Sequence, residues 1–177
     1  MAPAWRPGRA HVLTYAREDG FVRVVDADRG TVLTRKETRE VLAFDWVADR
    51  LLLLSPTSAT LFDDSGQTKL RRAGRFSGGA LSPRAQQLAL VSVRGGTSVV
   101  ELISRNGRSR ELFSGRGRFQ GPVWSPDGRW VAIGWPEADQ LVFLRTGGRA
   151  QIRAIADVSR QFRSRAFPAI RGWCCSR

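Results

Sequence analysis

The motif Trp-Ser-Pro-Asp-Gly-Arg-Trp-Val-Ala-Ile at 124–133 recurs in weaker form along the chain. The weaker copies begin at Trp5, Trp46 and Leu81, so successive copies start 41, 35 and 43 residues apart. Self-similarity at a period near 40 residues is typical of a β-propeller, in which each repeat forms one blade of four strands. The repeat therefore predicts an all-β fold: a β-propeller built of about four four-stranded antiparallel blades.

Each module contains four short apolar runs separated by turn residues, which is typical of an antiparallel sheet, and the motif lies where the first run passes into the second. No stretch has a sustained period of 3.6 residues, so little helix is expected. The second run is often apolar at consecutive positions, as at 51–54 and 130–133, which fits a strand packed between two blades. We expect a single propeller domain over 1–177, with modules at about 1–38, 39–73, 74–115 and 116–156 and a closing or extra strand at 165–174.

The C-terminal segment 167–173 is similar in sequence to 119–124, the first run of the fourth module. A strand here could complete the N-terminal blade and close a small ring, which would remove the open edges of the sheets. Alternatively, the chain is the C-terminal part of a larger propeller. The sequence leaves both arrangements open.

Two groups of residues stand out within the repeats. Trp46, Trp124 and Trp173 each end a first run, and their recurrence at the repeat period predicts packing between blades. The segment Trp-Pro-Glu-Ala-Asp at 135–139 instead interrupts the repeat between two strands, where its tryptophan could be exposed. We therefore expect a partner-binding patch there, with these candidate residues: Trp135, Glu137, Arg116 and Arg118.

The motif at 124–133 resembles the TolB-like propeller repeat, a relative of the WD-repeat class whose hallmark is a Ser-Pro-Asp-Gly turn between the first two strands of a blade. The copy at Leu81 keeps Ser-Pro, the copy at Trp5 keeps Pro-Gly, and the copy at Trp46 keeps only the aspartate. The resemblance implies a bacterial TolB-like or WD-like repeat protein that acts by protein–protein interaction. The export signal and separate N-terminal domain of TolB have no counterpart in this sequence.

The charge is strongly positive, with 29 Lys+Arg against 16 Asp+Glu and a net charge of +13. Only Lys36 and Lys69 are lysines, a bias typical of GC-rich codon usage. The arginines are spread along the whole chain, and nucleic-acid binding by an arginine-rich surface is a less favoured alternative to a protein partner.

No catalytic constellation is evident. His11 is the only histidine and no Gly-x-Ser-x-Gly motif or phosphate-binding loop accompanies it, so we expect a non-enzymatic protein without a cofactor. A second alternative, a ligand- or metal-binding propeller enzyme, would have to use these acidic residues: Asp19, Asp45, Asp127 and Glu137. Cys174 and Cys175 are expected to be unpaired thiols, because adjacent cysteines cannot form a disulfide framework.

No run of 18 apolar residues occurs, so no transmembrane segment is expected. The first 20 residues contain several charges and lack the apolar region of a signal peptide. The sequence predicts a cytoplasmic protein if Met1 is the true start, and an extracytoplasmic location stays open if an N-terminal part precedes it.

Overall fold

The computed structural model describes residues 3–9, 11–38 and 40–173, which form four antiparallel sheets of four strands each. In every sheet, neighbouring strands are consecutive in the sequence. Helical structure in this part of the chain is limited to the helix α1 (Val158–Gln161) and a 3-10 turn at Pro136–Ala138. The prediction of an all-β fold with four four-stranded antiparallel sheets is therefore confirmed.

Contacts divide the chain into two compact units, Met1–Gly74 and Arg75–Arg177, each containing two sheets. The strands of the first unit are β1 (Ala4–Trp5), β2 (Val12–Ala16), β3 (Phe21–Asp26), β4 (Thr31–Glu37), β5 (Ala43–Val47), β6 (Arg50–Leu54), β7 (Ser58–Phe62) and β8 (Thr68–Ala73). The strands of the second unit are β9 (Phe76–Leu81), β10 (Gln87–Arg94), β11 (Thr97–Ser104), β12 (Ser109–Arg116), β13 (Gln120–Trp124), β14 (Trp130–Trp135), β15 (Gln140–Arg145) and β16 (Ile152–Ile155).

The core of each unit lies between its two sheets. In the first unit, Val22 and Val24 of β3 pack in one cluster with Trp46 of β5 and Leu51 of β6. In the second unit, residues of β10 and β11 pack with residues of β14 and β15, and Val91, Val131 and Ile133 have no exposed surface. The middle strands supply most of the buried side chains because they are enclosed on both faces.

The repeated tryptophans join neighbouring sheets. The indole Nε1 of Trp46 donates a hydrogen bond of 2.7 Å to Oγ1 of Thr14 in the preceding sheet. Trp124 similarly donates one of 2.9 Å to the carbonyl oxygen of Ala80. Both tryptophans are buried, which confirms that they pack between blades, whereas Trp5 in the first sheet is 58% exposed.

The Ser-Pro-Asp-Gly segment forms the predicted turn between β13 and β14. Oγ of Ser125 accepts a hydrogen bond from the N–H of Trp130, and Oδ1 of Asp127 accepts one from the Ser125 hydroxyl. Gly128 has a φ of 70°, which favours glycine. In the turn between β9 and β10 the N–H of Ala85 donates to the carbonyl oxygen of Ser82, as the N–H of Gly128 does to that of Ser125. Ala85 therefore occupies the position of the glycine, with a φ of 52°.

A second backbone hydrogen bond recurs after the fourth strand of each sheet. The residue that leaves the sheet donates its N–H to a carbonyl oxygen in the hairpin between the second and third strands. The four pairs are Thr38 to Gly20, Gly74 to Thr57, Gly117 to Gly96, and Val158 to Asp139, with N–O distances of 2.7, 3.1, 2.9 and 3.2 Å. This bond fixes the point from which the chain leaves each blade.

The described part of the segment at 165–174 contains no strand, unlike the sequence expectation. It packs instead on the fourth sheet, where the ring of Trp173 lies 5.5 Å from the ring of Phe143. The first sheet already has its own short first strand, β1. Whether the blades close a ring stays a prediction.

The chain contains one histidine and two cysteines. His11 precedes β2 with a φ of 63°, and its Nδ1 lies 2.6 Å from a carboxylate oxygen of Asp28. Cys174 and Cys175 lie outside the described residues. Among the described helices, none is long and apolar enough to cross a membrane.

Candidate functional site

The four residues predicted to bind a partner lie together in the second unit, where the connection from β12 to β13 meets the hairpin between β14 and β15. Nε1 of Trp135 donates a hydrogen bond of 2.8 Å to the carbonyl oxygen of Arg116. Oε1 of Glu137 accepts one of 2.9 Å from the backbone N–H of Arg118. We call this arrangement of Arg116, Arg118, Trp135 and Glu137 the junction. Its role in binding a partner stays a prediction.

Trp135 is half-buried, although its place in the sequence suggested that the side chain could be exposed. Its ring packs edge-on against Phe113 and Phe119, with centroid distances of 5.7 and 5.5 Å. The two phenylalanine rings stack on each other at 5.6 Å. Packing of the three aromatic rings against one another stabilises the connection between the sheets. Trp135 therefore holds the other residues of the junction in place and offers little surface to a partner.

Gly117 allows the junction to close, a role that the sequence alone did not indicate. Its φ is 95°, and a Cβ placed on it would lie 2.5 Å from Cδ of Glu137. The carbonyl oxygen of Gly117 also accepts a hydrogen bond of 2.6 Å from the hydroxyl of Ser98, whose side chain is fully buried. A Cβ here would displace the carboxylate of Glu137, and the positive φ itself favours glycine.

Asp139 anchors the other side of the same hairpin. Its Oδ1 accepts hydrogen bonds from the N–H and the hydroxyl of Ser159, at 2.9 and 2.7 Å. Its backbone has a φ of 53°, which ends the 3-10 turn and directs the chain into β15. The hairpin at 135–139 is therefore held both by the preceding connection and by the start of α1.

The junction presents two positive side chains from a fixed backbone. Arg116 and Arg118 are exposed, and within the described part of the chain neither guanidinium group has an ion pair. Glu137 is exposed as well, but its carboxylate is turned towards the loop backbone. The arrangement can hold an anionic group of a partner, and it contains no nucleophile or proton-transfer pair.

The acidic residues proposed for a metal or ligand site have other partners. Desolvation raises the pKa of Asp19, but hydrogen bonds from Arg23 and from the N–H of Phe21 outweigh it and hold the pKa below its usual value. The hydroxyl of Ser125 is the main cause of the lowered pKa of Asp127. Desolvation raises the pKa of Asp45 on β5. Across residues 3–9, 11–38 and 40–173, no three His, Cys, Asp or Glu side chains come together as metal ligands.

The positive charge is concentrated in the second unit. Residues 75–177 contain 17 arginines and 6 acidic residues, a net charge of +11, whereas residues 1–74 contain 12 Lys+Arg and 10 acidic residues, a net charge of +2. The arginines are indeed spread along the chain, but the acidic residues are not. The low number of acidic residues in 75–177 stands out in the sequence once the boundary between the two units is known.

Comparisons with known proteins identify the fold alone. No protein-family model matches the chain, and no curated protein matches it. It is similar to the hydrazine synthase of Kuenenia stuttgartiensis, with a TM-score of 0.67 and 13% sequence identity over 88% of this chain and 53% of that one. It is also similar to the WD40 domain of Toxoplasma gondii coronin, with a TM-score of 0.69 and 12% identity over 88% of this chain and 45% of that one. The chain spans about half the length of these structures. Its four four-stranded sheets form a propeller-type fold, as the repeat predicts.

Proposed function

We propose that this chain is a non-catalytic interaction scaffold of the TolB-like or WD-like propeller type, which binds a protein partner at the junction. The supporting observation is the way Trp135 and Glu137 hold the backbone of 116–118 while Arg116 and Arg118 remain exposed. A loop that is already ordered loses little conformational entropy on binding, and arginine is common among the residues that dominate interface energies.

The TolB-like part of the proposal is supported by the Ser-Pro-Asp-Gly turn, which connects the first two strands of the fourth sheet. The interaction role is supported in general by the likeness to a WD40 domain. Hydrazine synthase is an enzyme by name, but a likeness at 13% identity carries no activity to this chain. The proposed partner carries acidic side chains at its contact surface, because the exposed groups of the junction that lack ion pairs are both cationic.

The test compares the double variant R116A/R118A with the control variant R163A/R165A, which removes the same charge from exposed positions after α1. The full chain is immobilised in each form, and the proteins retained from a lysate are identified by mass spectrometry. The proposal expects one set of proteins to be retained by the wild type and the control and to be absent with R116A/R118A. Equal retention by all three forms, or no specific retention, would overturn it.

A further inference from the structure

We propose that the second unit has a nucleic-acid binding surface at the end of its sheets opposite the junction, and that this surface contacts the phosphate backbone of a duplex. We call it the turn end. It consists of the connections between the first and second strands and between the third and fourth strands of both sheets, at these positions: 82–86, 105–108, 125–129 and 146–151. The junction lies at the other end of the sheets, where the hairpin between β14 and β15 meets the connection from β12 to β13.

The turns of the two sheets are joined into one surface. Nη2 of Arg110 donates a hydrogen bond of 2.8 Å to the carbonyl oxygen of Thr146. Thr146 in turn donates through Oγ1 to the carbonyl oxygen of Gly128, at 2.9 Å. A Cβ on Gly128 would lie 3.7 Å from Cδ of Pro83 in the neighbouring sheet. The relative positions of the turns are therefore fixed.

Arginine accounts for nearly all of the charged side chains of this surface. Those on or beside its turns are all exposed: Arg84, Arg105, Arg108, Arg110, Arg129, Arg145 and Arg149. The acidic residue in these turns is Asp127, which lies 3.8 Å from Arg129. Glu111, on β12, accepts a hydrogen bond from Ser114 further along the strand. In the described part of the chain no ion pair neutralises the guanidinium groups of a subset of four: Arg84, Arg105, Arg108 and Arg149.

Codon usage does not account for this charge. GC-rich codons explain why arginine replaces lysine, but they do not explain why acidic residues fall from 10 in residues 1–74 to 6 in the longer stretch 75–177. Soluble proteins usually mix both signs of charge on their surfaces. A charge asymmetry between two parts of one chain is instead typical of a surface that binds a polyanion.

The charge spacing of a nucleic-acid duplex matches the spacing of these turns. Turns two strands apart in one sheet are separated by about 10 Å, since neighbouring strands are about 4.8 Å apart. A duplex carries one negative charge per about 1.7 Å of its axis, so several phosphates lie within the span of the two turns of one sheet. Guanidinium groups bind phosphate oxygens in a bidentate way.

The described turns of this surface carry no fully exposed aromatic ring, and the half-buried Trp130 beside them is covered by the guanidinium group of Arg153, which favours a duplex over a single strand. Among the described residues of 75–173, the only strongly exposed aromatic side chain is Phe162, which follows α1 and lies outside the turn end. Single-stranded nucleic acids are commonly held by aromatic side chains on which the bases stack. Contacts limited to phosphates give sequence-independent binding with a strong dependence on salt.

The test measures binding of a fluorescent duplex of about 20 base pairs to the full chain over a series of salt concentrations. The variant R84Q/R105Q/R108Q/R149Q removes four charges from the turn end. The control R160Q/R163Q/R165Q/R171Q removes four charges from exposed positions after the fourth sheet. Circular dichroism and urea unfolding establish that both variants are folded. If the turn-end variant is not folded, R105Q and R149Q are measured singly.

We expect the turn-end variant to bind the duplex at least about tenfold more weakly than the wild type. The slope of log K against log salt should become less negative by about 0.9 for each phosphate that is no longer bound. The control variant should weaken binding by less than about threefold. Each single variant should reduce the magnitude of this slope by about one. Equal weakening by both fourfold variants, or a flat isotherm of the wild type at low salt, would overturn the proposal. Competition by polyglutamate as strong as that by duplex of equal charge would overturn it too, because the surface would then bind an acidic protein.

Discussion

The indole N–H of Trp46 donates its hydrogen bond to Oγ1 of Thr14, a side chain without any exposed surface. The bond joins the first two sheets inside an otherwise apolar cluster. Thr14→Val keeps the shape of the side chain but removes the acceptor, and it leaves a buried N–H without a partner. We expect a loss of about 1–3 kcal/mol in the free energy of unfolding, measured by urea denaturation.

Thr31→Val is the matched control, because Thr31 is an exposed threonine at the start of β4. It should change the free energy of unfolding by less than about 0.5 kcal/mol. If the two variants were equally stable, the hydrogen bond of Trp46 would make no net contribution, and shape alone would hold the two sheets together.

Ala85 and Gly128 occupy the same position of equivalent turns, and both have positive φ. An alanine in this conformation is strained by about 1–2 kcal/mol, whereas a glycine is not. Ala85→Gly should therefore stabilise the protein by about 0.5–1 kcal/mol, net of the added entropy of the unfolded chain. Gly128→Ala should destabilise it by about 1 kcal/mol or more. Thermal and urea unfolding of both variants would contradict this explanation if the two changes had the same sign.

The architecture could be predicted because its signals recur at the repeat period. The tryptophans at 46 and 124 and the turn at 125–128 each serve one local purpose that the neighbouring repeat also needs. The surroundings of Trp135 could not be predicted, because its ring packs against Phe113 and Phe119, which lie 22 and 16 residues earlier in the chain. Such contacts depend on how two sheets pack and leave no periodic trace in the sequence.

Turns can be predicted from local sequence, whereas surfaces that combine several turns depend on tertiary packing. The turn at 82–87 keeps its geometry without the Asp-Gly pair, because Ser82 still accepts backbone hydrogen bonds from Gln86 and Gln87. The turn end is a property of tertiary structure, since its arginines come from four separate turns. Their charge was countable in the sequence, but their common location required the strand order.

Asp63 makes the stability of the first unit depend on pH. Its pKa is lowered strongly from the usual 3.8, first by the hydrogen bond from Lys69 and then by the hydroxyl of Ser65. A carboxyl whose pKa is lower in the folded state adds stability above its unfolded pKa and loses it as pH falls through the folded pKa. Asp63→Asn should therefore be less stable than the wild type at about pH 6, and the difference should shrink below about pH 4. Urea unfolding at several pH values tests this, and a difference independent of pH would contradict it.

Gly134 lets the C-terminal segment pack on the fourth sheet. A Cβ on this residue would lie 2.7 Å from Cε1 of Phe167 and 3.3 Å from Cδ1 of Ile170. Gly134→Ala should therefore loosen the segment, so that trypsin cleaves it faster after Arg165 and Arg171, the arginines that flank Phe167 and Ile170. A local loss of about 1 kcal/mol would speed cleavage about fivefold, because proteolysis follows the population of the open form.

Gly147→Ala is the control for this experiment, since a Cβ on Gly147 would meet no atom within 4 Å. It should be cleaved at the wild-type rate. In the double variant G134A/F167A the added methyl group no longer meets a ring. Phe167→Ala should therefore raise the cleavage rate by a smaller factor in the Gly134→Ala variant than in the wild type, a coupling expected of residues in contact. Cleavage of Gly134→Ala at the wild-type rate would mean that the segment adapts to the methyl group and that its packing on the fourth sheet does not depend on the glycine.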